Sequence, residues 1–198
     1  MDDVLRLGAE LHLGGNTNEG AKANTLSALS MAVDPDWRNK GIAGLLLQAL
    51  KRAALRAGLS GLVVPARPTW KHQYPDVDIG TFLLWDMNGT PQASFPEEGS
   101  GKKPFDPWLR RHVSLGARMA KVAPLSMTVE ADAATWMRWL GVGVFEKGLK
   151  EAIIEIDESG QEFRLLKIPH GLERLRYSPS SGVARYVEPN VWMEYSLS

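Results

Sequence analysis

The residues best suited to chemistry in this 198-residue chain are six in a row: Arg38, Asn39, Lys40, Gly41, Ile42 and Ala43. They join an apolar run, TLSALSMAV at 25–33, to a run with helical spacing that ends at Gly58. A strand that feeds a helix through a short turn leaves N–H groups unpaired at the helix start. Those donors and the positive end of the helix dipole together make an anion site. Gly41 allows a ligand to approach the backbone with no Cβ in between, and Arg38 and Lys40 add positive charge. A pyrophosphate is the fitting guest. Two other phosphate loops do not apply. Gly-x-x-x-x-Gly-Lys-Ser/Thr is absent, and so is Gly-x-Gly-x-x-Gly. About 20 residues past Gly41, where a dinucleotide fold needs a ribose-binding acid, the chain reads Gly-Leu-Val-Val.

The neighbouring elements must hold that turn. Ile42, Leu45, Leu46, Ala49, Leu50 and Ala53 recur at helical spacing and are expected to face the core. Gln48, Lys51, Arg52 and Arg56 are expected on the wetter side, with Gly58 as the stop. In the preceding strand Leu29, Met31 and Val33 alternate on one face, whereas Leu26 and Ala28 belong to the opposite phase. Such a slip predicts a β-bulge. GLVV at 61–64 reads as a buried strand ended by Pro65 and Pro68. FDPWLRRHVSL at 105–115 reads as a helix with Asp106 as N-cap, Pro107 in the first turn and Gly116 as stop. ARMAKVAPLSMTVEA reads as two short strands around Ala123-Pro124. Asp132 is expected to cap a helix over 133–140 that turns Trp136, Trp139 and Leu140 inward. EAIIEI and FRLLKI flank a turn at 157–160 and predict a hairpin. RYVEPNVWMEY closes the chain.

The turn at 38–43 fits the pattern Arg/Gln-x-x-Gly-x-Gly/Ala and resembles the acyl-CoA loop of GNAT-type N-acetyltransferases. The longer run from VVPARPTWKHQYP through FDPWLRRHVSLGAR and VAPLSM to YVEPNVW is similar to a little-described group of GNAT-like proteins. The resemblance implies an α/β (α+β) fold. Its mixed, mostly antiparallel sheet carries a central parallel strand pair, 25–33 beside 61–64, with flanking helices. On that resemblance the family's N-terminal strands are expected to be missing or replaced in this chain. The expected division is an N-terminal helix and loop at 1–24, a core at 25–145 with an insertion at 66–103, and a β-rich C-terminal extension at 146–198.

The resemblance also implies roles. Acyl-CoA would be a co-substrate, with its pyrophosphate on Arg38, Asn39, Lys40, Gly41, Ile42 and Ala43. Its pantetheine arm would pair with backbone groups near Met31, Ala32 and Val33. His112 stands four residues before Gly116, where family members often carry a Tyr that protonates the departing CoA thiolate, and a histidine suits that task. Its other reading is a packed or surface histidine near a helix end. Glu130 is the nearest carboxylate and more simply a solvated strand end. The segment from Trp70 to Tyr74 either borders the acceptor pocket or pins its loop to the core, and His72 reads as a surface residue. The implied activity is N-acyl transfer, acetyl by preference, to a small-molecule amine by direct attack on the thioester. The alternative is an inactive module that binds acyl-CoA or another chain. Homodimerisation is left open.

Composition narrows the field. The chain holds 23 Lys plus Arg against 23 Asp plus Glu, so no global field points to nucleic acid or an acidic membrane. With no cysteine there are no disulfides and no thiolate metal sites. His12, His72, His112 and His170 lack the paired spacings of zinc ligands, so no metal is expected. No apolar run approaches a membrane span. Asp2 and Asp3 do not suit a secretory leader, and a cytoplasmic location is expected.

Overall fold

Pairing in the sheet begins with two strands that part company. In the computed structural model, which describes residues 23–95 and 102–197, β1 (Thr25–Ser27) runs parallel to β2 (Gly61–Ala66). The last bond between them runs from Ala28 N–H to the Val63 carbonyl, at 2.9 Å. Backbone groups of alternate residues face the same side of a strand, so Val63 and Pro65 both present theirs to β1. Pro65 has no N–H to give. The ladder therefore stops, while β2 continues to Ala66 against another partner. The expected strand over 25–33 is thus three residues long. The phase slip near Leu29 marks where the chain leaves the sheet rather than a bulge within it.

Beyond a single turn of 3-10 helix at Pro35–Trp37 comes α1 (Ile42–Arg56). Its inward face is not the expected one. Gly44, Leu47 and Ala54 are buried, Leu47 completely, while Leu45 is 64% exposed. Leu46, Ala49 and Ala53 are exposed as well. The cause is local: α1 meets the sheet along the row i, i+3, i+7, i+10 from Gly44, a row that contains Lys51. The Lys51 ammonium reaches the Leu115 carbonyl at 3.1 Å and lies over the Tyr195 ring at 5.0 Å, so its stem is packed and its charge satisfied.

The segment after β2 is pinned by aromatic rings. α2 (Ile79–Leu83) follows, capped by Asp78. Tyr74 packs edge-on to Trp85 and Phe105, and Trp70 to Phe105. Of the two readings of the Trp70–Tyr74 segment, anchoring is what these two rings do. The helix expected near 105–115 is α3 (Pro107–Ser114), and the Asp106 carboxylate accepts from Trp108 and Leu109 N–H.

The remainder is organised by one long strand. β3 (Arg118–Asp132) is continuous rather than two short strands. It pairs antiparallel with β7 (Val183–Ser196) along nearly its whole length, with register shifts at Met119/Lys121 and Ala123/Met127. Between them come α4 (Ala133–Leu140), α5 (Val142–Lys150), β4 (Ile153–Ile156), β5 (Glu162–Leu166) and β6 (Leu175–Ser178). The expected cap at Asp132 forms, and so does the β4–β5 hairpin. Trp136 is buried, but Trp139 is 58% exposed. The sheet order is β1-β2-β7-β6-β5-β4, with β3 on β7. The stretch expected as a C-terminal extension therefore divides. β4 to β6 lengthen the sheet, whereas β7 is its spine and pairs directly with β2.

β3 takes one edge of β7, so β2 and β6 share the other edge and leave a gap beside residues 186–190. One apolar cluster lies beneath α1, β2 and α3, and a second beneath α4, α5 and the β6 end of β7. Among the described residues no helix is long and apolar enough to cross a membrane. The helix expected near residues 1–13 lies outside the described residues. The observed face of α1 gives a direct check. Leu47→Ala should cost about 3 kcal/mol in a denaturant titration, whereas Leu45→Ala should leave stability within about 0.5 kcal/mol of the parent.

Candidate functional site

Where β1 and β2 part, a cleft of about 870 Å³ opens and runs to the start of α1. One wall is the strand exit and the turn. Met31, Ala32 and Val33 line it, followed by Arg38, Asn39, Gly41, Ile42 and Ala43. Eight of the nine residues expected to bind acyl-CoA thus share one cavity. The ninth, Lys40, does not line it. Its ammonium lies 4.5 Å from the centre of the Trp37 ring, held by a cation–π contact.

The turn has the backbone that an anion cradle needs. Asn39 and Gly41 both have positive φ, at 61° and 80°. Gly41 is the N-cap of α1 and has no side chain to occupy the helix start. Its carbonyl accepts from Gly44 and Leu45 N–H at 3.0 and 3.2 Å. The N–H groups of Gly41, Ile42 and Ala43 find no backbone acceptor among the described residues. A Cβ on Gly41 would meet nothing within 4 Å. The residue is glycine for its conformation, and the space above it is open.

The opposite wall comes from farther along the chain. Arg67 and Thr69 follow β2, His72 lies beyond them, Trp108 and Arg111 project from α3, and His170 precedes β6. Arg111 lies directly on the first turn of α1. A Cβ on Gly44 would come within 2.0 Å of Arg111 Nη2. A guanidinium against the positive end of a helix is a repulsive arrangement that an anion between them relieves. None of the ion pairs among the described residues involves Arg38 or Arg111. The cleft therefore offers two guanidinium groups and a row of N–H donors to a polyanion. This set fits a pyrophosphate.

The gap along β7 is closed by an ion pair between the half-exposed Arg67 and the buried Glu188. Arg67 grips Glu188 with two bonds, Nε to Oε1 at 2.7 Å and Nη2 to Oε2 at 3.0 Å. Tyr186 donates its hydroxyl to the same carboxylate at 2.6 Å, and burial together with that bond holds the phenol well above its ordinary pKa. Arg67 Nη2 also donates to the His170 carbonyl at 2.7 Å, and Leu172 N–H donates to Tyr186 at 2.9 Å. The Lys71 ammonium, fully buried, donates to Tyr74 O, Leu172 O and Glu173 Oε1 at 2.7–3.1 Å. These bonds tie the segment after β2 to the segment before β6. They bring the His72 and His170 rings to 5.6 Å.

His112 does not reach the cleft. It is completely buried, 4.4 Å from the Trp108 ring centre, and its Nδ1 lies 2.7 Å from the Tyr195 hydroxyl. Nε2 has no partner. Burial holds its pKa down at about 4, so the ring is neutral at physiological pH. Proton donation to a thiolate in the cleft has no direct route from this position; Trp108 stands between. Glu130 lies elsewhere, on β3 beside Gln161 and Arg185. Among the described residues no group of three or more His, Asp or Glu is arranged to hold a metal ion. Sequence reasoning did not single out Arg67, Arg111 or His170 for the cleft, and it read His72 as a surface residue although the pocket-bordering reading of the Trp70–Tyr74 segment spans it. The one local signal was the Arg110-Arg111 pair behind a strong helix cap.

Residues 10–72 match the model of the Acetyltransferase (GNAT) family. The chain is 34% identical over 194 residues to an arginine N-acetyltransferase, avaD, of Aspergillus versicolor. That alignment takes in 98% of this chain and 62% of the relative, so the chain spans less than two thirds of the relative's length. No solved structure matches the chain.

The buried histidine generates a pH prediction. The folded-state pKa of His112 is depressed from 6.5 to about 4, so below pH 6.5 the unfolded chain takes up a proton that the folded chain refuses. Its contribution is complete above about pH 6.5 and lost as pH falls toward 4, a span of about 3 kcal/mol. In urea titrations from pH 7 to 4.5, the parent should lose more stability than His112→Gln by that order.

Proposed function

We propose that the chain is a GNAT-family acetyltransferase, which transfers an acetyl group from acetyl-CoA to an amine. One observation carries the reading. The opening between the parallel strands is continuous with an uncapped helix start flanked by Arg38 and Arg111. On this reading the pyrophosphate lies against the N–H groups of Gly41, Ile42 and Ala43, with Arg38 and Arg111 beside it. The pantetheine arm runs along Met31, Ala32 and Val33, in the space that Pro65 keeps free of a strand partner. The acyl group then points toward Arg67, His72 and His170.

The acceptor is a small-molecule amine. The similarity to an arginine N-acetyltransferase makes arginine the first compound to test, followed by other guanidino and amino compounds. Attack is direct: the amine nitrogen bonds to the acyl carbon and the carbon–sulfur bond breaks, giving amide and CoA. No Ser-His-Asp or Cys-His set offers a covalent alternative, since cysteine is absent from the chain and no Asp or Glu among the described residues lines the cleft. A cytoplasmic site of action accords with that lack of cysteine.

Acetyl-CoA binding by calorimetry and CoA release with a panel of amines test the reading together. Arg38→Ala and Arg111→Ala should each raise the Kd for acetyl-CoA about tenfold, the usual worth of one charge-assisted hydrogen bond. Gly44→Ala should do the same without unfolding the chain, because its methyl group displaces only the mobile end of Arg111. Unchanged affinity in all three variants would remove the pyrophosphate from this turn.

A further inference from the structure

We infer that His72 is the general base that takes the proton from the acceptor amine, an inference that rests on the acetyl-transfer reading above. The cleft is short of bases. No Asp or Glu among the described residues lines it, and two buried carboxylates beside it are engaged, Glu188 by Arg67 and Tyr186 and Asp106 by the N–H groups of Trp70, Trp108 and Leu109. His112 is sealed behind Trp108. Among the described residues, His72 and His170 are the lining side chains able to accept a proton.

The two histidines are not equivalent. His72 Nδ1 lies 2.7 Å from the Thr69 carbonyl oxygen. A carbonyl can only accept, so Nδ1 carries the hydrogen and Nε2 keeps its lone pair. The same bond stabilises the imidazolium once Nε2 is protonated. A base therefore has its tautomer set before substrate arrives. The anchoring is local and firm, because Lys71, the adjacent residue, is buried with three acceptors. His170 has its carbonyl held by Arg67, while its ring carries no such directing bond among the described residues. His170 is a positioning neighbour, with its ring 5.6 Å from that of His72.

The step balances. The neutral amine attacks the thioester carbon, the C–N bond forms and the C–S bond breaks. The proton lost by nitrogen goes to His72 Nε2 and from there to solvent, and the CoA thiolate takes a proton from water. The charged and titratable groups that line the cleft with His72, among the described residues, are Arg67, already paired to Glu188, together with Arg38, Arg111 and His170.

The test uses the whole chain, with acetyl-CoA and the best amine from the panel. His72→Gln retains an amide donor for the Thr69 carbonyl and has no basic nitrogen. It should lower kcat about 100-fold, leave the Kd for acetyl-CoA within about twofold, and abolish the acidic limb of the kcat/KM–pH profile. His72→Asn with an unchanged melting temperature serves as the second variant. His170→Gln should keep the acidic limb. A His72→Gln enzyme that retains more than a third of kcat with the same acidic limb overturns the inference. A parent chain that binds acetyl-CoA yet acetylates none of the amines also overturns it and leaves the binding reading standing. Failure to bind acetyl-CoA removes both.

Discussion

A missing hydrogen-bond donor shapes this molecule. Pro65 stands where the β2 backbone should next donate to β1, and it has no N–H. Two parallel strands that would otherwise continue side by side separate after the bond from Ala28 to Val63. Everything at the site depends on that separation. The chain that leaves β1 forms one wall, and the turn at Gly41 follows from the need to re-enter as a helix. Backbone polar groups are left facing the opening, and an open sheet edge is costly unless something pairs with it. A ligand with amide groups of its own is suited to that role.

The second constraint is the division of β7. This strand gives one edge to β3 and splits the other between β2 and β6. The interval is filled by an ion pair, not by a strand. Arg67 and Glu188 are joined by two bonds, with a tyrosine hydroxyl on the same carboxylate. Such a pair contributes little net stability against an apolar substitute, but breaking it strands a buried charge. Its value here is geometric. It locks the end of β2 to the segment before β6, and so carries His170 to the cleft beside His72. The region between β3 and β7 thereby completes the site as well as enlarging the sheet.

Local chemistry made much of this readable in advance. The Gly41 turn, the Asp106-Pro107 cap, the stop at Gly116 and the cap at Asp132 all rest on contacts within a few residues, and each appears where expected. Patterning was a weaker guide. Apolar residues surround α1 on most sides, so periodicity could not say which row meets the sheet, and the row through Gly44 and Leu47 prevailed over the row through Leu45. Ala123-Pro124 looked like a break, yet β3 absorbs it as a register shift because β7 pairs on both sides of it.

The turn at Gly41 was legible in the sequence because short-range backbone geometry dictates it, whereas the parallel pair and the eight cleft residues, which stand within thirteen positions of one another, were expected from the family resemblance. Only the tertiary structure decided the opposite wall. Arg67, His72, Arg111 and His170 are spread over more than a hundred residues and converge through β7, a long-range pairing that no local pattern announces. The same packing withdrew His112 from the site. Its place on the helix was legible, but whether a ring points into a cleft or into the core depends on what lies across from it, here Trp108 and Tyr195.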